Sequence, residues 1–293
     1  MRCWGLAPLA WAAKGIARLP QRALLDLGAV LALALWPLLG GRRRIARRNL
    51  ELCFPEFDAA RRAQLLRVNL RNTVTGALEL VRAWYAPSAR LRGLATVEGI
   101  EHLRAARAEG KGVLLFTGHF THTELAVRLL SEALGWPVRT VIRRHNHPCV
   151  EETFERARAR VFGPTIAKKD VRGLLRALQS GDAVTYSADQ NFTYQNAFVP
   201  FFGVPAATLT STPQLVERAH ARMHPFFFHR DDTGVYRLRI GEAWPGWQDG
   251  TPEEAAAIYM RELEAYVRMH PGQYLWVHRR FKTRPVGEPD VYL

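Results

Sequence analysis

No Gly-x-Ser-x-Gly elbow occurs in the 293 residues, and no cysteine sits in a recognisable reactive setting, so a serine or cysteine nucleophile is not expected. Cysteine is scarce: Cys3, Cys53 and Cys149 share no CxxC spacing, which argues against a disulfide framework and against a zinc site. His119, His122, His145 and His147 lie close together in the chain, but no HExxH pattern accompanies them, so no metal is expected. A Ser/Gly/Pro-rich linker is missing, as are internal repeats and low-complexity tracts. Acidic residues are few, 27 Asp and Glu against 41 Lys and Arg, giving a formal charge of +14. Such a surface attracts an anionic partner: membrane lipid, nucleic acid or an acidic protein. The nucleic-acid reading lacks support, because neither a Walker loop nor an RNP-type aromatic motif is present. Gly110-Lys111-Gly112 precedes its strand and so cannot cradle phosphate as a P-loop does.

The most apolar stretch runs from Ala23 to Gly40 and is interrupted by Asp26 and Pro37. As one helix it would reach about 27 Å, close to a hydrocarbon core of roughly 30 Å; counted from Leu27 to Leu39 it reaches only about 20 Å. The expectation is an N-terminal hydrophobic membrane-anchor helix, with a true span placed ahead of a shallow in-plane anchor. Arg42, Arg43, Arg44, Arg47 and Arg48 follow at once and favour a cytoplasmic position for the rest of the chain. The expected division is residues 1–48 for the anchor and its basic flank, and 49–293 for a single catalytic domain.

From Phe57 to Ala86, apolar residues recur at helical spacing until Pro87 ends the pattern. Short apolar runs then alternate with amphipathic ones. Strands are expected at Leu94–Val97, Val113–Thr117, Val138–Arg143 and Ala183–Ser187, and helices at Ile100–Ala108, Thr121–Leu134, Val150–Val161 and Val171–Gln179. This alternation predicts an α/β fold with a mixed, largely parallel central sheet flanked by helices. Two prolines in Phe198-Val199-Pro200-Phe201-Phe202-Gly203-Val204-Pro205 speak against regular pairing there, leaving an apolar loop that either lines an acyl-chain channel or packs in the core. Leu209 to Ala221 should be largely helical. Pro225–His229 and Val235–Ile240 read as a hairpin, and Thr251-Pro252-Glu253-Glu254 caps a final helix reaching about Met269.

The chemistry concentrates where the run Val113–Thr117 ends in Gly118-His119-Phe120-Thr121-His122-Thr123-Glu124. Five helical residues turn the side chains roughly 140° apart, so His119 and Glu124 cannot meet within one regular helix. His119 therefore belongs on the strand-to-helix turn, from which Glu124 in the first turn can reach back to one ring nitrogen. A base and its orienting acid without a protein nucleophile suit a reaction whose attacking group belongs to the substrate. A hydroxyl attacking a thioester fits, since a thiol with a pKa of about 8.5 leaves with little help. Water in place of that hydroxyl would make the same pair a hydrolase.

These residues, together with Tyr186-Ser187-Ala188-Asp189-Gln190, Val199-Pro200-Phe201-Phe202-Gly203 and His278-Arg279-Arg280-Phe281-Lys282-Thr283-Arg284-Pro285, resemble the late acyltransferases of lipid A biosynthesis. These lauroyl and myristoyl transferases lie within the wider lysophospholipid and glycerolipid acyltransferase group. The resemblance covers nearly the whole chain. It implies a bacterial inner-membrane protein with its catalytic part facing the cytoplasm, which moves a fatty acyl chain from acyl carrier protein to a hydroxyl of a Kdo-bearing lipid A precursor. No further cofactor is implied, and the partners are acyl carrier protein, an anionic lipid acceptor and membrane lipids. Lysophospholipid and ornithine-lipid acceptors stay open as alternatives. By the resemblance His119 is the base and Glu124 polarises it. Arg158 pairs with a phosphate or steadies an oxyanion, and Asp189 orients Arg158 or another polar group. Arg143, Arg279, Arg280, Lys282 and Arg284 are expected to hold phosphate and sugar-carboxylate groups. The chain departs from the family at Arg143-Arg144-His145-Asn146-His147-Pro148, where the loop's substrate contacts are expected to differ, and at His122-Thr123, where the pocket's shape is.

Overall fold

The structure, a computed structural model, describes residues 7–244 and 246–293. Cys3 lies outside them. Four helices come first: α1 (Ala7–Ala17), α2 (Gln21–Ala34), α3 (Gly40–Cys53) and α4 (Ala59–Tyr85). Strands and helices then alternate as β1 (Ala95–Glu98), α5 (Ile100–Ala108), β2 (Val113–Thr117), α6 (Thr123–Leu134), β3 (Arg139–Ile142), α7 (Pro148–Phe162), β4 (Ile166–Ala167), α8 (Val171–Gln179) and β5 (Ala183–Ser187). The chain closes with β6 (Asn196–Phe201), β7 (Val204–Leu209), α9 (Thr212–Ala219), β8 (Arg222–Arg230), β9 (Tyr236–Ile240) and α10 (Pro252–Met269).

Seven strands form one sheet in the order β1-β9-β8-β2-β5-β3-β4. Every neighbouring pair is parallel except the hairpin β8–β9. The largely parallel α/β sheet read from the alternation is thus present. β2 sits at its centre with all five residues buried, as an unbroken Val-Leu-Leu-Phe run requires when both faces are covered. Asp58 caps α4 by accepting from the Arg61 amide, and Thr251 and Glu254 form a reciprocal capping box on α10.

Two expectations need correction. Among the described residues no helix is long and apolar enough to cross a membrane. The apolar run is broken after Ala34 by a turn holding Pro37, whose ring cannot continue a helix, and α3 then carries the arginines. The segment 198–205 is a regular antiparallel hairpin, β6–β7, in which Pro200 faces Pro205. Two prolines opposite each other fit a ladder at a pair that exchanges no N–H bonds. The two-residue loop Phe202-Gly203 takes positive φ at both positions, 54° and 73°, the twist that matches paired strands. The strained Phe202 is held because its amide donates to Glu264. Cys53 is a buried free thiol.

The boundary expected at 48/49 falls inside α3, and Ala17, Ala46 and Leu50 belong to the same buried cluster as Leu114 and Leu115 of β2. A buried polar network joins the leading helices to the sheet. Glu79 on α4 pairs with Arg230 and accepts from the Tyr236 hydroxyl. Gln21 donates to Tyr236 Oη at 3.2 Å and to the Gly234 carbonyl at 3.1 Å, and Arg82 donates to Gln21 and to the Leu19 carbonyl. Glu79→Leu leaves the Arg230 charge buried and unpaired, so denaturant unfolding should show a loss of about 3–5 kcal/mol. Adding Arg230→Met should recover most of it. A double variant no more stable than Glu79→Leu would remove the pairing argument.

Candidate active site

His119 and Asp189 meet because of strand register. β2 and β5 are parallel with Thr117 beside Ser187, so two residues beyond each strand end His119 and Asp189 arrive side by side. The Asp189 carboxylate is buried and receives the His119 amide at 2.8 Å on Oδ2 and the Tyr274 hydroxyl at 2.8 Å on the same oxygen. Its Oδ1 lies 2.5 Å from His119 Nδ1. Burial alone would push this carboxyl up, but the adjoining imidazole, its ring and amide hydrogen bonds and the Tyr274 hydroxyl outweigh that and hold it well below the usual carboxylate range. Burial and the same carboxylate push Tyr274 well above an ordinary phenol. With Nδ1 engaged, Nε2 is the ring nitrogen left for chemistry, and among the described residues it makes no hydrogen bond.

The turn carrying His119 is clamped from outside. Leu275 donates to the His119 carbonyl at 2.8 Å, Thr121 donates to the Gln273 carbonyl at 2.9 Å, and Phe120 bridges Tyr274. Buried asparagines of the leading helices hold the clamp in turn: Asn49 donates to the Trp276 and His278 carbonyls, Asn69 to Tyr274, and Asn72 to Gly272. Gly76 lets α4 lie against this turn, since a Cβ there would sit 2.0 Å from the Thr121 carbonyl oxygen.

Glu124 occupies the first turn of α6 as expected but does not brace His119. Its carboxylate faces Arg158 of α7, which donates from Nε at 3.1 and 3.2 Å and from Nη2 at 2.7 Å, and it receives Trp84 Nε1 at 2.5 Å. The guanidinium also lies over the Trp84 ring at 4.9 Å. The acid in contact with the imidazole is therefore Asp189, expected to orient Arg158 or another polar group, and Arg158 is paired with Glu124 instead. α6 begins at Thr123, so the segment from His119 to His122 is a turn that sends the two side chains to different neighbours.

A cavity of about 1240 Å³ is lined by His119, Glu124 and Arg158, and also by Arg143 and Lys168 at the ends of β3 and β4. Apolar lining comes from Val127, Ile142, Leu174, Leu209 and Leu215. The wall combines cations with apolar side chains and further polar groups, which suits an anionic amphiphile. Arg279, Arg280, Lys282 and Arg284 are not among the lining residues. Arg280 is buried and donates to the Gln190 and Ala207 carbonyls and to Thr208, and Arg284 donates to the Pro205 carbonyl and pairs with Glu288. Both guanidiniums hold the β6–β7 hairpin. Arg279 and Lys282 are exposed, the former over the Tyr292 ring. Among the described residues no group of three or more His, Cys, Asp or Glu side chains could hold a metal.

Three contributors escaped the sequence reading. Trp84 and Tyr274 are far from their partners in the chain, and no local pattern marks them. His278 lines the cavity, and its position in the quoted His278–Pro285 motif was the available signal. Burial lowers the His278 imidazole to about 4, with Asp189 opposing and His119, Arg280 and Lys168 adding to the shift.

A family model described as bacterial lipid A biosynthesis acyltransferase matches residues 2–283. The chain is 34% identical to the lipid A biosynthesis palmitoleoyltransferase of Escherichia coli K12, over 97% of this chain and 94% of that protein. It is 33% identical to the lauroyltransferase of the same organism, over 94% and 91%, and 25% identical to its myristoyltransferase, over 85% and 78%. The fold and the catalytic-looking cavity thus belong to an acyltransferase. The chain is a member of the bacterial lipid A biosynthesis acyltransferase family.

The titrations carry a stability signature. His270 is also lowered to about 4, by burial and by the His229 stacked on it, so between pH 4 and about 6.5 the unfolded chain binds protons that the folded chain refuses. Stability should be complete above about pH 6.5 and fall as the pH is lowered towards 4. Protonation of Asp189 adds to the loss only in stronger acid, below its unfolded value of about 3.9. Thermal unfolding across pH 4–8 would show this as a falling Tm, and a Tm that rose on acidification would contradict it.

Proposed function

We propose that the protein transfers a fatty acyl chain from acyl carrier protein to a hydroxyl of a Kdo-bearing lipid A precursor, with His119 as general base and Asp189 as its brace. The observation that carries this reading is the 2.5 Å contact between His119 Nδ1 and Asp189 at the wall of the large amphipathic cavity. Nε2 takes the proton from the acceptor hydroxyl. The oxygen attacks the thioester carbonyl, and the tetrahedral intermediate expels the thiolate, which receives the proton from the imidazolium. Asp189 keeps the ring in the tautomer that leaves Nε2 free to accept and stabilises its protonated form.

Arg158 meets the developing oxyanion. Its Nη1 makes no hydrogen bond among the described residues, while Nε and Nη2 are committed to Glu124. Glu124 and Trp84 position that guanidinium. Arg143 and Lys168 receive the anionic groups of the substrates. The acyl donor is the co-substrate, and the mechanism uses no further cofactor. The enzyme acts at the bacterial inner membrane with its cavity on the cytoplasmic side. Membrane attachment is in-plane, through α1 to α3, whose surface exposes Trp11, Val30, Leu33 and Leu38.

Transfer from acyl carrier protein to the precursor, followed by mass spectrometry in detergent, tests the reading. His119→Ala should abolish transfer with the fold intact. Asp189→Asn should lower kcat by about 10²–10⁴, and Glu124→Gln by less, because only Asp189 touches the base. A larger loss in Glu124→Gln than in Asp189→Asn would return the bracing role to Glu124.

A further inference from the structure

A second recess, of about 330 Å³, adjoins the catalytic cavity. The two share Thr73, Gln190 and His278 as lining residues, so these three side chains form the partition between them. The remaining wall is almost wholly hydrocarbon, with Leu39, Leu70, Leu275 and Val277, and its one cation is Arg42. Leu39 and Arg42 lie at the junction of α2 and α3. That junction leaves Leu38 80% and Leu33 76% exposed, a cost that folding does not explain. Arg42, Arg44 and Arg47 follow on the surface, and among the described residues none of them has an ion-pair partner. Exposed apolar residues beside unpaired cations fit an anionic lipid surface better than an apolar protein partner.

We propose that this recess is an acceptor-chain subsite: a hydrocarbon chain of the membrane-resident acceptor lies in it, with a phosphate of the same lipid near Arg42. The inference rests on the lipid-acceptor reading above and adds where that lipid comes from. The two cavities meet at the polar side chains Thr73, Gln190 and His278, so a lipid whose hydrocarbon lies in the recess can present its polar end towards His119 from the side of α2 and α3. The donor thioester is left the larger cavity. The recess is of the size that ordinary ligand sites have, roughly 300 Å³ or more, and it is built from elements already locked in place. Arg42 donates to the Val277 carbonyl at 3.2 Å and Asn49 to the His278 carbonyl at 2.8 Å.

The test is steady-state transfer in detergent micelles with acyl carrier protein thioester as donor and the Kdo-bearing lipid A precursor as acceptor. Leu39→Trp fills the recess. It should raise the acceptor KM by about tenfold or more and leave the donor KM unchanged, and an acceptor with shorter chains should restore the loss. Val277→Phe narrows the same recess from another segment of its wall and should act alike, which covers the case in which Leu39→Trp fails to fold. Val286→Ser, at a fully exposed residue that lines neither cavity, should change the acceptor KM less than twofold in micelles. The subsite is overturned by an unchanged acceptor KM in a folded Leu39→Trp or Val277→Phe, by a rise in donor KM instead, or by an equal effect from Val286→Ser. Wild-type protein that transfers nothing to the precursor would instead sink the lipid-acceptor reading itself.

Discussion

The contact between His119 and Asp189 is made by the sheet. Both residues are set two positions past the end of a strand, and the parallel pairing of β2 with β5 brings the two ends level. A parallel sheet gathers its carboxyl ends on one edge, so catalytic groups from distant parts of a chain converge there without a dedicated loop. Arg143 and Lys168 arrive at the same edge from β3 and β4. The rest of the molecule serves to keep that edge in register. Residues 272–278 clamp the His119 turn, buried asparagines of α3 and α4 hold the clamp, and Arg280 and Arg284 tie the β6–β7 hairpin beside it.

Two acids, Asp189 buried and Glu124 half-buried, have been given different work by their surroundings. Asp189 has a hydroxyl, an amide and an imidazole around it and is kept ionised where it can brace a ring. Glu124 has a guanidinium and an indole, and it fixes the guanidinium in a charge-assisted fork. Neither assignment follows from the carboxylate itself. The leading helices are bound to the same frame through Gln21, Arg82, Glu79 and Tyr236, so the apolar corner at Leu38 stands in a defined place relative to the base.

Much of the fold was legible. α5, β2, α8 and β5 have the bounds that their apolar periodicity and turn residues set, because each is a local pattern with strong punctuation. The β6–β7 hairpin was not, because prolines were weighed as breakers without knowing that they face each other. The long apolar run was read as one helix, and it is divided by a turn around Pro37. In the motif from His278 to Pro285, side-chain charge suggested substrate contacts, yet Arg280 is spent on backbone carbonyls. Charge can be read from letters, and burial cannot.

What the amino-acid sequence determined by itself was the strand-to-helix turn that presents His119, the α/β alternation around it and the resemblance that assigns the family. Each depends on residues near one another in the chain or on a pattern spread along it. Which acid serves the imidazole was decided only by tertiary structure. Glu124 is near in sequence, but the turn before α6 sends it to Arg158 on α7, while Asp189 is distant in sequence and delivered by strand register. Hydrogen bonds act over a few ångströms of space, and a chain folded into a parallel sheet sets those distances by pairing and not by separation along the backbone.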